Sequence, residues 1–306
     1  MKYVVTGGAG FIGSHLTEKL IKQGNIVTVI DNLNTGKEKN LEVVKEKIEF
    51  VKGSILDTKL LEEITKDVDG VFHQAALASV QDSFTKPDEY YDVNVDGTEN
   101  IFKLSKKYEF KVVYASSSSV YGNPTRIPTK ELDDKNPINP YAKTKLKAEE
   151  LATQYSKMGI SVIGLRYFNV FGKRQSKEYA GVIKLFLERI RDKLPPKVNG
   201  DGTQSRDFVH VDDVVNANIM SMNSDVTHEF FNVGTNSSIT VLDLAQTVIE
   251  ASGLDIEPIF GPALNGDVDK TISNIDLIEQ KIGWKPTIML VDWLKDIIAS
   301  KKIDEV

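Results

Sequence analysis

Cysteine is absent from this 306-residue chain, which excludes disulfide staples and thiol nucleophiles. Four histidines are present without the spacing of a metal-ligand set, so no zinc-type centre is expected. Arginine is scarce, with six residues and none after Arg206. With a net charge of −6 and a pI near 5.4, the chain lacks the basic surface of a general nucleic-acid or anionic-membrane binder. No apolar run is long enough to span a bilayer, and Met1 leads straight into an apolar segment without a signal peptide. The cytoplasm is therefore the expected compartment. Internal repeats, low-complexity tracts and disordered linkers are also missing.

A chain with 41% hydrophobic and 27% charged residues reads as globular, long enough for a large core plus a smaller lobe. Strand-like runs alternate with helical stretches up to about residue 168: Lys2-Tyr3-Val4-Val5, Ile26 to Ile30, Ile48 to Val51, Gly70 to His73, Lys111 to Tyr114 and Ser161 to Leu165. That rhythm predicts an α/β fold, a doubly wound parallel sheet of Rossmann type with helices on both faces. Past Asn169 the rhythm loosens around Leu194-Pro195-Pro196, Gly200-Asp201-Gly202 and Gly261-Pro262, which suggests a smaller C-terminal α/β substrate lobe. The expected division is 1–168, with returns around 208–236, for a dinucleotide-binding domain, and 169–207 with 237–306 for the lobe. A ligand would sit between them, at the carboxyl ends of the strands.

The segment Thr6-Gly7-Gly8-Ala9-Gly10-Phe11-Ile12-Gly13 lies between the first strand run and a helical stretch from Phe11 to Gln23. Glycines at 7, 10 and 13 let the backbone approach a pyrophosphate at a helix N-terminus, where free N–H groups and the helix dipole favour an anion. Glycines also mark ordinary turns, and Asp31 strengthens the reading. It closes the second strand run, 18 residues beyond Gly13, near the spacing expected for an acid that binds the adenine ribose hydroxyls. A carboxylate there repels a 2′-phosphate, which favours NAD over NADP.

Tyr141 and Lys145 stand four residues apart after Pro140, on a stretch that reads as helical to Tyr155. The spacing places phenol and ammonium on one face, where the positive charge is expected to lower the tyrosine pKa towards working pH. Alone, such a pair also describes a solvated helix face. Its companion is the run Tyr114-Ala115-Ser116-Ser117-Ser118-Ser119-Val120-Tyr121-Gly122, which follows a strand and offers several hydroxyls.

These motifs, with Leu165-Arg166-Tyr167-Phe168-Asn169-Val170-Phe171-Gly172 and Ser205 to Asp213, resemble the extended short-chain dehydrogenase/reductase superfamily. Within the NAD-dependent epimerase/dehydratases, the chain is most similar to UDP-hexose 4-epimerases, especially those acting on UDP-N-acetylglucosamine. The resemblance runs from Lys2 to about Pro286. It implies that Tyr141 as phenolate takes the proton of the sugar 4-hydroxyl while NAD accepts a hydride from C4. Ser117 would bind the same oxygen, and Lys145 would hold the nicotinamide ribose. The 4-keto sugar would then turn over and be reduced on its other face.

Family dehydratases and decarboxylases carry an acid where Ser118 or Ser119 stands here, so the resemblance favours epimerisation. For the cofactor it implies Gly7, Gly10, Phe11, Ile12, Gly13, Asp31, Asn32, Ser54, Ile55, Gln74, Ala75, Ala76, Asn94, Tyr141, Lys145 and Tyr167. Ser54 replaces a common aspartate. His73 reads as a packed strand-end residue rather than an acid or a ligand. For the UDP-sugar the resemblance implies Asn169, Val182, Phe186, Asn199, Arg206 and Asp267, with Ser79, Ser117, Ser118, Ser119 and Tyr141 facing the hexose. Arg206 suits a diphosphate, although a pair with Asp207 or Asp212 is an alternative.

Relatives usually place a second diphosphate-binding arginine where Leu264 stands, which weakens the expected nucleotide-sugar affinity unless Lys270 substitutes. Thr271 matches the position that gates pocket size, and with Gln74 and Ser79 it points to UDP-GlcNAc and UDP-GalNAc, with UDP-glucose and UDP-galactose tolerated. A homodimer through helices such as Asp96 to Lys107 and Tyr141 to Tyr155 is implied as well. The alternatives are another nucleotide-sugar epimerase or reductase of the family, and a non-catalytic NAD-binding sensor.

Overall fold

A strand that is apolar on both faces must be covered on both, and the first strand, β1 (Lys2–Thr6), is buried along almost its whole length. The computed structural model describes residues 1–175, 181–263 and 268–306. In chain order β1 is followed by α1 (Phe11–Lys22), β2 (Ile26–Asp31), β3 (Glu49–Lys52), α2 (Thr58–Thr65) and β4 (Gly70–His73). Two short helices, α3 (Val80–Thr85) and α4 (Pro87–Tyr91), lead through a π-helical turn into α5 (Gly97–Tyr108), then β5 (Lys111–Ser117), α6 (Pro140–Ser156) and β6 (Val162–Tyr167).

The remaining elements are β7 (Asn169–Phe171), α7 (Val182–Arg191), β8 (Lys197–Asn199), β9 (Ser205–Arg206), β10 (Phe208–His210), α8 (Val211–Asn223) and β11 (His228–Val233). After them come β12 (Ile239–Thr240), α9 (Val241–Ser252), β13 (Ile259–Gly261), α10 (Asp276–Ile282) and α11 (Leu290–Ala299).

Seven strands form one parallel sheet in the order β11-β6-β5-β4-β1-β2-β3. The order reverses between β1 and β4, and at such a switch point the loops splay apart to leave a crevice above the strand ends. Alternation along the strands builds two cores. Val5, Val29 and Phe72 pack with Leu16 of α1, Val214 of α8 and Ile278 of α10 on one face. Val4, Ile30 and Val71 pack with Leu61 of α2, Phe102 of α5 and Leu151 of α6 on the other.

A third core joins Phe171, Val198 and Phe208 to α7, α9 and α11 and makes the smaller lobe. One part of 237–306 departs from the expected division. Ile275, Ile278 and Trp284 bury against the large sheet, and the Trp284 indole N–H donates to the Asp213 carbonyl at 2.9 Å.

Candidate active site

The carboxyl ends of β1, β2, β4, β5 and β6 open into a cleft of about 870 Å3. Its floor is the glycine turn. Gly7 adopts φ +66°, and a methyl there would lie 2.7 Å from the Ala75 nitrogen. A methyl at Gly13 would lie 2.2 Å from the Gly7 carbonyl oxygen. Only glycine lets the turn sit this close to the β4 loop and to α1. The first turn of α1 carries no acidic side chain, so its N-terminal field stays open to an anion.

Asp31 ends β2 at 7% exposure, with one oxygen accepting the Ala9 N–H at 3.0 Å and the other the Leu33 N–H at 2.8 Å. Burial pushes its carboxyl pKa up, and these two donors oppose that shift. Each oxygen keeps a lone pair for a further donor. Asn32, Ser54 and Ile55 line the same end of the cleft. Ser54 Oγ accepts the Leu56 N–H at 3.2 Å, and Asp57 caps α2 through Leu60 N. Phe11, Ile12, Gly10, Ala75 and Ala76 line the middle, and together these residues fit a dinucleotide.

Ser117, Tyr141, Lys145 and Tyr167 meet at the opposite end. Pro140 opens α6 behind the cap Asn139, whose Oδ1 accepts the Ala142 N–H at 2.8 Å; this sets the turn that carries Tyr141. Ser117 terminates β5, and its Oγ accepts from Ser119 N at 3.2 Å and Ser119 Oγ at 2.9 Å. Lys145 Nζ donates to the Ala115 carbonyl at 2.8 Å and lies 5.9 Å from the Tyr141 ring centroid. Burial lowers the Lys145 pKa to about 8. The expected lysine-driven depression of Tyr141 is not the dominant effect here. Burial raises its phenol above the ordinary value, and the opposing influence is its hydrogen bond with Ser117.

Several expected ligand positions make structural contacts within the protein. Asn94 is 1% exposed and set behind the wall, with Oδ1 accepting Leu77 N at 2.8 Å and Nδ2 donating to Leu77 O at 2.9 Å and Thr144 Oγ1 at 3.0 Å. It ties the loop after β4 to α6. Phe186, at 1% exposure, belongs to the smaller lobe's core, and Val182 packs against that core at the start of α7. Ser79 caps α3. Gln74 does line the cleft, but its amide is engaged by Asn218 at 3.0 Å and by the Tyr167 hydroxyl at 3.1 Å, so it braces the floor. His73 is buried between Thr6 Oγ1 at 2.7 Å and Thr98 Oγ1 at 2.9 Å, the packed role expected of it.

The other residues expected on the sugar side are not among those that line this cleft. Ser118 and Ser119 form a 3-10 turn after Ser117, and Asn169 begins β7, while Asn199 ends β8. Arg206 is 7% exposed on β9 and donates to the Ser205 carbonyl at 2.8 Å. Asp207 instead binds Thr235 and Ser273, accepting from both backbone N–H groups and both hydroxyls. Thr271 is 9% exposed, and its Oγ1 accepts the Asp207 N–H at 3.3 Å. Leu264 and Asp267 lie outside the described residues.

Sequence reasoning missed the brace behind the serines. Arg166 of β6 and Glu149 of α6 form a buried pair through two 2.8 Å bonds, Nε to Oε1 and NH2 to Oε2. NH1 donates to Tyr121 Oη at 2.7 Å and the Glu131 carbonyl at 2.8 Å, and Ser116 Oγ donates to Glu149 at 2.6 Å. The pair binds β5, β6 and α6 at the base of the Ser117 and Tyr141 wall. Its only trace in sequence is a glutamate four residues after Lys145 and an arginine in an apolar strand, which gives no pairing.

The model of the NAD dependent epimerase/dehydratase family matches residues 3–234, which include most of the residues that line this cleft. The chain belongs to this family. Its cofactor is NAD, and the glycine floor fits a dinucleotide. The putative UDP-glucose 4-epimerase of Methanocaldococcus jannaschii is 40% identical over 300 residues, 96% of each chain. The UDP-N-acetyl-alpha-D-glucosaminuronate decarboxylase of Bacillus cytotoxicus is 39% identical over 80% of this chain and 78% of that one. Among solved structures, the UDP-N-acetylglucosamine 4-epimerase from Methanobrevibacter ruminantium M1, in complex with UDP-N-acetylmuramic acid, has a TM-score of 0.93 at 37% identity and covers 99% of this chain and 98% of its own. Family membership makes the chain an epimerase/dehydratase-type enzyme. No helix among the described residues is long and apolar enough to cross a membrane.

Proposed function

We propose that this protein is a UDP-hexose 4-epimerase acting on UDP-GlcNAc/UDP-GalNAc, with UDP-glucose/UDP-galactose as further substrates. The observation that carries the reading is the meeting of Ser117, Tyr141 and Lys145 at one end of a cleft whose other end is Asp31. NAD in that cleft supplies a reversible hydride acceptor, so no external redox partner is consumed.

The chain's residues handle protons and position. Tyr141 takes the proton of the sugar 4-hydroxyl and returns it at the end of the cycle, a general base and then a general acid. Ser117, already a partner of Tyr141, favours the ionised phenol and holds the reacting oxygen. Lys145 remains mostly protonated at neutral pH, since about 8 lies above it, and its fixed head orients the ribose beside Tyr141. Arg206 takes the UDP diphosphate, and Thr271 leaves room for an N-acetyl group. Inversion requires the 4-keto sugar to present its other face, so the sugar end must grip less tightly than the diphosphate end.

The decarboxylase relative favours a second reading, loss of a sugar carboxylate from the same type of 4-keto species. Ser118 and Ser119, which offer hydroxyls rather than an acid, support epimerisation over it. The test is to incubate the purified protein separately with UDP-GlcNAc, UDP-glucose and the corresponding uronic acids, following the sugar protons by NMR without added reductant. Galacto-configured product is expected. A pentose product or a 4-keto-6-deoxy sugar would refute the reading. We further propose a cytoplasmic homodimer paired through α5 and α6.

A further inference from the structure

We infer that Arg174, a residue of the segment after β7, is a binding residue for the cofactor's pyrophosphate and fastens the smaller lobe's entry segment over the glycine turn. The inference rests on NAD binding in the cleft and is independent of which sugar is epimerised.

Arg174 lines the cleft with Gly10, Phe11, Ile12 and Gly13, although it lies some 160 residues from that turn in the chain. Its NH1 donates to Ser14 Oγ at 3.2 Å and its NH2 to Glu18, both on α1. Ser14 sits in the first turns of the helix whose N-terminus faces the anion. A guanidinium has five N–H donors, so two such bonds leave others available to a pyrophosphate. Glu18 is 13% exposed and Arg174 24%, so the fork is held rather than waving in solvent.

The backbone adds a second observation. Arg174 adopts φ +68°, the left-handed region that an L side chain seldom occupies. Such a conformation persists where surrounding contacts impose it, and it clusters at ligand clamps. The neighbouring residue is tethered to the same helix, because the Lys173 carbonyl is 3.0 Å from His15 Nε2. Two consecutive residues are therefore fastened to α1, and these bonds hold the one guanidinium among the described cleft-lining residues beside the first two turns of that helix. Lys37, whose backbone N–H donates to the Ala9 carbonyl at 3.0 Å, and Lys39 also line the cleft, while Lys184 donates to the Val306 carbonyl at 2.6 Å and Lys145 to that of Ala115. An anion over Gly10 would meet Arg174 and the α1 N-terminus together, a planar fork beside a helix dipole.

A UDP-sugar carries a diphosphate too, so the test must separate the two sources. Nucleotide-free wild type, Arg174→Met and Arg174→Lys would be titrated calorimetrically with NAD, ADP-ribose, adenosine and UDP, after thermal melts establish that all three are folded. Arg174→Met keeps the aliphatic stem and removes the charge. It should bind NAD and ADP-ribose about tenfold or more weakly. Adenosine and UDP affinity should not change, and Arg174→Lys should recover part of the loss. Unchanged NAD affinity would overturn the inference. So would an equal loss for adenosine, which marks a merely structural role, or a loss confined to UDP, which moves the residue to the other diphosphate. A wild type that binds no NAD would overturn the cofactor site itself.

Discussion

His73 makes a measurable prediction about acid stability. Its ring is wedged between two threonine hydroxyls at 3% exposure, and burial, with a smaller repulsion from Lys145, pushes its pKa down to about 3 from the ordinary 6.5. The folded protein keeps the ring neutral at a pH where the unfolded chain has already taken up a proton. Between 6.5 and about 3 the unfolded state binds more protons, so this contribution is fully present above 6.5 and is lost as pH falls towards 3.

At 1.36 kcal/mol per pH unit the ceiling is about 5 kcal/mol, and the fall between about pH 7 and about pH 5 is about 2 kcal/mol. His73→Gln offers Thr6 and Thr98 an amide that does not titrate. Urea unfolding of both proteins across that range isolates the ring, because the other groups cancel in the difference. The stability of wild type relative to the variant should fall by about 2 kcal/mol on acidification. Parallel profiles for the two proteins would refute the reasoning.

The Arg166 and Glu149 brace predicts strong coupling: Arg166→Met or Glu149→Leu alone should cost about 3–5 kcal/mol by urea unfolding, and the double variant clearly less than their sum, because each single change strands a buried charge. Additive costs would count against the pair. Tyr141→Phe should retain the fold and NAD affinity while turnover falls by about a hundredfold or more, as measured by sugar NMR; normal turnover would remove Tyr141 from the chemistry. Thr271→Tyr should lose UDP-GlcNAc turnover before UDP-glucose turnover, and an equal loss of both would argue that the change acts only through the Asp207 contact. Gly7→Ala should impair folding or NAD binding, since the turn has φ +66° and a methyl would press on Ala75; wild-type affinity and stability would refute this account of the turn.

Local order was legible in the chain. The glycine spacing, the apolar strand runs, Asp31 at the end of one of them, and Pro140 ahead of Tyr141 are short-range patterns, and each appears in the fold within a residue or two of its expected place. The serine run differs slightly: β5 continues to Ser117, so the strand itself delivers that hydroxyl to the cleft. Alternating apolar runs also determined the parallel sheet, because strands buried on both faces leave few other arrangements.

Partnership over long separations was decided only by the tertiary structure. Arg166 meets Glu149 and Asp207 meets Thr235 and Ser273 because strands and helices converge, and no local period records such meetings. The same holds for the contacts of Asn94, Gln74 and Phe186, whose side chains brace or pack against neighbours distant in sequence. Tyr141 and Lys145 show the division most clearly. Helical spacing put them on one face, but burial set the sign of their pKa shifts, and burial belongs to the assembled cleft.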